Sequence, residues 1–159
     1  MAIRGGRPDT RQISPHLMVR DGEGAVAFYE RAFGAQELYR SPMPDGQGIH
    51  AQLRIYESVV LITTESEGHP EVPVRSPQTL GGTGTILELY VDDADAAIKR
   101  AVDAGAAETM PASDIFFGDR YGWVIDPFGH LWALASVKET LTPEEIDDRM
   151  KRMIGQMGS

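Results

Sequence analysis

The chain has no cysteine among its 159 residues. That excludes disulfides, thiolate catalysis and zinc sites built on sulfur, and it fits a reducing compartment. Cations are also scarce: 15 Lys and Arg against 24 Asp and Glu leave a net charge of −9, which repels nucleic-acid phosphates and anionic lipid surfaces. Neither nucleic acid nor a membrane is expected as a partner. The opening MAIRGGRPDT contains no apolar run, so it does not read as a signal peptide, and a cytoplasmic location is the expectation. What is present is 42% hydrophobic residues, enough for one sizeable core and a single domain.

An internal repeat organises that domain. PHLMVRD (15–21) followed by AVAFYERAFG (25–34) has a counterpart in LELYVDD (87–93) followed by AAIKRAVDAG (96–105). Each reads as a strand and then an amphipathic helix stopped by glycine, Gly34 or Gly105, with Asp93 a fitting N-cap. Val26, Tyr29 and Phe33 fall on one stripe of the first helix, and Ala94, Ile98, Ala101 and Val102 on one stripe of the second. Strands then follow in each half: residues 37–40, 49–56 and 59–63 in the first, and 107–110 plus a closing hairpin in the second. Residues 66–83, rich in proline and glycine, read as a connector that could act as a flap. Thr142-Pro-Glu-Glu145 is a capping box opening a helix over 141–155, whose apolar stripe is Ile146, Met150, Met153 and Ile154. That stripe suits either the domain's own surface or a homodimer contact.

The closing hairpin, FFGDRYGWVIDPFGHLWALAS (116–136), reads as strand, Asp126-Pro-Phe-Gly129 turn and strand. It resembles the closing hairpin of the glyoxalase/bleomycin-resistance/extradiol-dioxygenase superfamily (vicinal oxygen chelate fold), and within it the PhnB-like branch. The resemblance spans residues 12–136. It implies an α+β fold of two βαβββ modules, 12–64 and 84–136, related by pseudo-twofold symmetry, their curved mixed sheet forming a cleft, with the C-terminal helix appended.

Strand alternation then sorts the faces. Leu17, Val19, Leu87, Leu89 and Val91 suit the helix side, as do Trp132 and Leu134. Ser14, His16, Met18, Ile86, Glu88 and Tyr90 go to the other face, where the repeat makes His16 and Glu88 equivalent. His50, Gln52 and Arg54 form a polar row that is either solvated or lines the cleft. Tyr121 and Trp123, with Phe116, Phe117, Met18, Ile62 and Tyr90, complete a flat apolar pocket suited to a planar ligand. Asp119 and Arg120 are expected to pair with each other and fix their loop, and His130 to make a structural hydrogen bond.

The family's metal-ligand positions, carried onto this chain, fall on Ser14, Ile62 or Thr63, Ile86 and Ala133, none of them a His or carboxylate. No cofactor is therefore expected. The one arrangement that would hold a divalent metal is a shifted set of His16, His50 and Glu88. Without metal, His16 and Glu88 read either as a general base with its orienting carboxylate or as a structural polar pair. The resemblance thus implies a metal-independent or metal-optional enzyme of lyase or isomerase type acting on a small carbonyl-containing or aromatic compound. The alternative is a bleomycin-resistance-type protein that sequesters a drug-like molecule.

Overall fold

A computed structural model describes residues 13–66 and 73–158. Two mixed four-stranded sheets carry the fold. The first contains β1 (His16–Val19), β2 (Gln36–Pro42), β3 (Ile49–Ile55) and β4 (Ser58–Thr64) in the order β1-β4-β3-β2, with α1 (Gly22–Phe33) joining β1 to β2. After a single turn, α2 (Pro77–Leu80), the pattern recurs: β5 (Ile86–Tyr90), α3 (Ala94–Ala104), β6 (Ala107–Asp114), β7 (Asp119–Ile125) and β8 (Leu131–Val137), in the order β5-β8-β7-β6. In both sheets the first strand runs parallel to the last, and the other neighbours are antiparallel. The N-caps Asp21 and Asp93 are 72 positions apart. So are His16 and Glu88, and so are their ladder partners Leu61 and Ala133. These are the two βαβββ modules, each with its helix, and α4 (Pro143–Met157) follows them.

The helices form where the caps dictate. Asp21 and Asp93 accept from the backbone N–H groups of Gly24 and Ala96, and Gly34 ends α1 in the left-handed region at φ 66°, which glycine adopts without steric cost. Val26, Tyr29 and Phe33 are buried as the stripe requires, together with Phe28; in α3, Ala94, Ile98 and Ala101 are buried while Val102 stays 40% exposed. The expected stripe of α3 is therefore one residue too wide. Short alanines there let α1 pack directly against α3. The apolar row Ile49, Ala51, Leu53 and Ile55 of β3 is buried beneath α1 in the same core as Trp132 and Leu134 of β8.

The modules are locked together by one buried carboxylate. Asp126, 3% exposed in the turn before β8, accepts at Oδ2 from the Tyr29 hydroxyl of α1 (2.6 Å) and from Trp132 Nε1 (2.9 Å). At Oδ1 it accepts from the backbone N–H groups of Phe128 and His130. Burial, followed by the nearby Asp126 charge, pushes the Tyr29 hydroxyl well above its usual range, so it remains a donor. His130 Nε2 meets the Met18 carbonyl at 3.0 Å, a structural bond of the expected kind, tying the start of β8 to β1.

The described end of the connector is tethered: Glu65 accepts from the Ser76 N–H and the Thr79 hydroxyl, and Arg20 donates twice to Thr79. Residues 67–72 of the connector lie outside the described residues. No residue of α4 is fully buried, Ile146 and Met150 of its apolar stripe are partly buried, and Arg149 pairs with Glu139.

Candidate functional site

The faces turned away from the helices carry the chemistry. On the first sheet, ladder register puts His16 beside Leu61 and Gln52, and Met18 beside Thr63 and His50. Thr63 sits between two imidazoles: its hydroxyl lies 2.6 Å from His16 Nε2 and 2.9 Å from His50 Nδ1. The rings themselves are edge-to-face with centroids 5.6 Å apart. A hydroxyl has one proton to give and lone pairs to receive, so Thr63 donates to one ring and accepts from the other. Partial burial, and then the neighbouring His50, holds the His16 imidazole below its ordinary pKa, leaving it neutral at pH 7. Gln52, 8% exposed, and the half-buried Arg54 continue the polar row of β3.

The second sheet presents aromatics. Glu88, Ala133 and Trp123 form one ladder row, and Tyr90, Ala135 and Tyr121 the next. The ring of Tyr121 lies edge-on to Trp123 at 6.4 Å and to Phe117 at 6.0 Å, and Phe117 touches Phe116 in the β6–β7 turn. Small Ala133 and Ala135 leave that face flat. Tyr90, 51% exposed, donates its hydroxyl to Asp119 Oδ2 at 2.7 Å. That bond is the leading reason its pKa is raised, with burial, the Asp119 charge and Glu88 adding to it.

The structure separates residues that the sequence paired. His16 and Glu88 occupy equivalent positions on different sheets, and no hydrogen bond or ion pair joins them among the described residues: His16 bonds Thr63, whereas Glu88 is exposed and acts on Tyr90. Equivalence under a twofold does not imply contact. Ile62 is not in the cleft. It is 0% exposed in the core, paired with Leu17 and Ala51, because a one-residue shift along a strand reverses the face; Thr63 holds the open position. Asp119 and Arg120 likewise point to opposite faces, so Arg120 pairs with Asp95 of α3 and Asp114, not with Asp119. The sequence offers Thr63 as one of two residues for the fourth-strand position but places only Ile62 in the pocket, although the pairing of Thr63 with Met18 and His50 puts it on the open face.

The shifted metal set does not assemble. His16 and His50 converge on a neutral hydroxyl, their expected carboxylate stands on the other sheet, and among the described residues no three His, Asp or Glu side chains gather around one point. Two imidazoles and a hydroxyl are a poor donor set for a resident divalent ion. A concavity of about 980 Å³ at the end of β4 is lined by Arg20, Glu23, Asp45, Glu65 and Arg75 among others, away from both faces.

Known proteins resemble this chain in sequence and in fold. The chain is 42% identical over 138 residues to the uncharacterized protein Rv0887c of Mycobacterium tuberculosis, covering 87% of this chain and 81% of that one. It is 34% identical over 128 residues to the uncharacterized Arabidopsis thaliana protein At5g48480, covering 76% and 74% of the two chains. The crystal structure of that Arabidopsis gene product superposes with a TM-score of 0.62 over 79% of this chain and 98% of its own, at 29% identity. The fold is shared more distantly with the fosfomycin resistance protein FosX of Listeria monocytogenes, solved with Mn(II) and sulfate, at TM-score 0.61 and 20% identity over 90% and 97% of the chains. With residues 12–134 matching the family as a whole, the chain belongs to the Glyoxalase/Bleomycin resistance protein/Dioxygenase superfamily.

Proposed function

We propose that the open sheet faces bind a small carbonyl-containing or aromatic molecule and that the chain acts on it as a metal-independent lyase or isomerase, with His16 as general base. The observation that carries this reading is the Thr63 hydroxyl held between His16 Nε2 and His50 Nδ1. With His16 Nε2–H donating to Thr63 and the Thr63 hydroxyl donating to His50, His16 Nδ1 is free to take a proton from the carbon next to a carbonyl. The Nε2 proton then passes to Thr63 Oγ1 as the Thr63 proton passes to His50 Nδ1, and the reverse sequence returns a proton to the substrate. Gln52 and Arg54, on the same row, supply donors for the developing oxyanion. Glu88 is left as a substrate contact beside Tyr90.

The test begins with a thermal-shift screen of small aromatic and carbonyl compounds, then follows exchange of the ligand's α-proton in D₂O by NMR. Wild type should catalyse exchange; His16→Ala and Thr63→Val should bind the same ligands and lose it. Exchange that persists in both variants overturns the role of the relay. A second reading, sequestration without turnover, is favoured by the aromatic side chains of Tyr90, Tyr121 and Trp123 on two adjacent ladder rows. It requires tight hits that show no exchange and are lost in Trp123→Ala.

A further inference from the structure

Each module breaks its second strand in the same way, and on the first sheet the break decides what faces a ligand. In β2, Glu37 pairs with Leu53 and Tyr39 with the adjacent Gln52, so Leu38 is an extra residue. In β6, Glu108 pairs with Val124 and Met110 with Trp123, which leaves Thr109 over. Such a bulge reverses the faces of the residues beyond it. Had β2 alternated strictly from Gln36, Leu38 and Arg40 would share its open face and Tyr39 would turn toward the helices. Instead Arg40 donates to both oxygens of Glu37 and to Glu23 of α1, which pins it to the helix side. Tyr39 is thereby delivered to the open face, 45% exposed, with its ring 6.5 Å from that of His50.

Ladder register then puts Tyr39 in line with the proposed base. His16, Leu61, Gln52 and Tyr39 are successive partners across β1, β4, β3 and β2. At a strand spacing of about 4.8 Å, the row measures roughly 14 Å between its outer Cα atoms. None of the four is a carboxylate, lysine or arginine, and His16 is neutral at pH 7. A molecule lying along the row meets an imidazole at one end, an amide in the middle and an aromatic face at the other. Those suit an acidic α-carbon, a carbonyl oxygen and a flat apolar substituent in that order. We infer that Tyr39 is a specificity-determining residue of this face, stacking on the substituent carried on the far side of the carbonyl, so that the preferred ligand is a neutral aryl ketone. The inference rests on the function proposed above for the direction in which the ligand lies, but the role of Tyr39 is one of binding and needs no turnover.

Acetophenone and cyclohexyl methyl ketone are matched probes, with the same acetyl group on a flat or a puckered ring of equal carbon count. Titrating each into the full chain and following backbone amide shifts by NMR gives two dissociation constants. Acetophenone should bind about two- to tenfold more tightly, the increment expected of one aromatic pair, and should shift the amides of Gln52 and Tyr39. Tyr39→Phe should keep that preference. Tyr39→Leu, which fills similar space without a ring, should abolish it by weakening acetophenone alone. No shift with either ketone, equal affinities in wild type, or a preference that survives Tyr39→Leu overturns the inference. So does equal weakening of both ketones, which would mark Tyr39 as merely structural. Exchange of the acetyl protons in D₂O, followed on the same samples, reports separately on His16. A Tyr39-dependent preference without exchange defeats the proposed turnover and leaves the binding role standing; exchange without the preference does the reverse.

Discussion

Asp126 should be the costliest polar side chain in the molecule to alter. Replacing it with Asn keeps one carbonyl oxygen for the Phe128 and His130 N–H groups, but puts an amide donor where Oδ2 receives the Tyr29 hydroxyl and the Trp132 indole. The Tyr29 hydroxyl can turn and accept; Trp132 Nε1–H cannot. The substitution therefore removes at least one hydrogen bond to a charge, about 1.5–3 kcal/mol, and leaves a buried indole N–H unsatisfied, about 1–3 kcal/mol more. A total of about 2.5–6 kcal/mol corresponds to a melting-point loss of roughly 5–24 °C for a chain this size. Tyr29→Phe removes one donor and leaves three, so it should cost about half as much. Urea unfolding followed by tryptophan fluorescence measures both, and the double variant should be less than additive because the sites share a partner. Asp126→Asn within about 0.5 kcal/mol of wild type would refute the argument. So would strict additivity with Tyr29→Phe.

Three other outcomes follow from positions the structure fixes. Ile62→Ala should cost about 2–5 kcal/mol of stability, as for a fully buried aliphatic, and leave ligand affinity in the thermal-shift screen unchanged, whereas a cleft residue would show the opposite pattern. Gly122→Ala should destabilise by about 1–3 kcal/mol in the same urea assay, because its Cβ would stand 2.6 Å from Ile98 Cδ1 and 2.9 Å from the backbone of Met110 and Ala112. His16 is held below its ordinary pKa of 6.5, so between the two values the unfolded chain binds more protons. Its contribution is therefore complete above pH 6.5 and lost as pH falls through the lowered value. The melting temperature should drop with acidification more in wild type than in His16→Gln, and the His16 ring should titrate below 6.5 by NMR.

Local rules written in the sequence were enough for each module taken singly. Aspartate before and glycine after an apolar stripe set the ends of α1 and α3, strict alternation set the faces of β3 and β7, and the Thr142 capping box opened α4. These depend on backbone sterics and on nearest neighbours, which a sequence displays. Which residues meet depended on the assembled sheets. His16 and Glu88 were rightly matched as equivalent strand positions, yet a symmetry relation carries no distance, and ladder register gave His16 a different neighbour in Thr63. The fourth strand offered Ile62 or Thr63 for one role, and only its pairing with β1 and β3 put one in the core and the other between two histidines. The same holds for Asp126, whose turn motif was plain while its bond to Tyr29, 97 residues away, was not. Side-chain contacts across such separations follow from how helices and sheets stack, and stacking is decided by burial summed over the whole chain rather than by any local pattern.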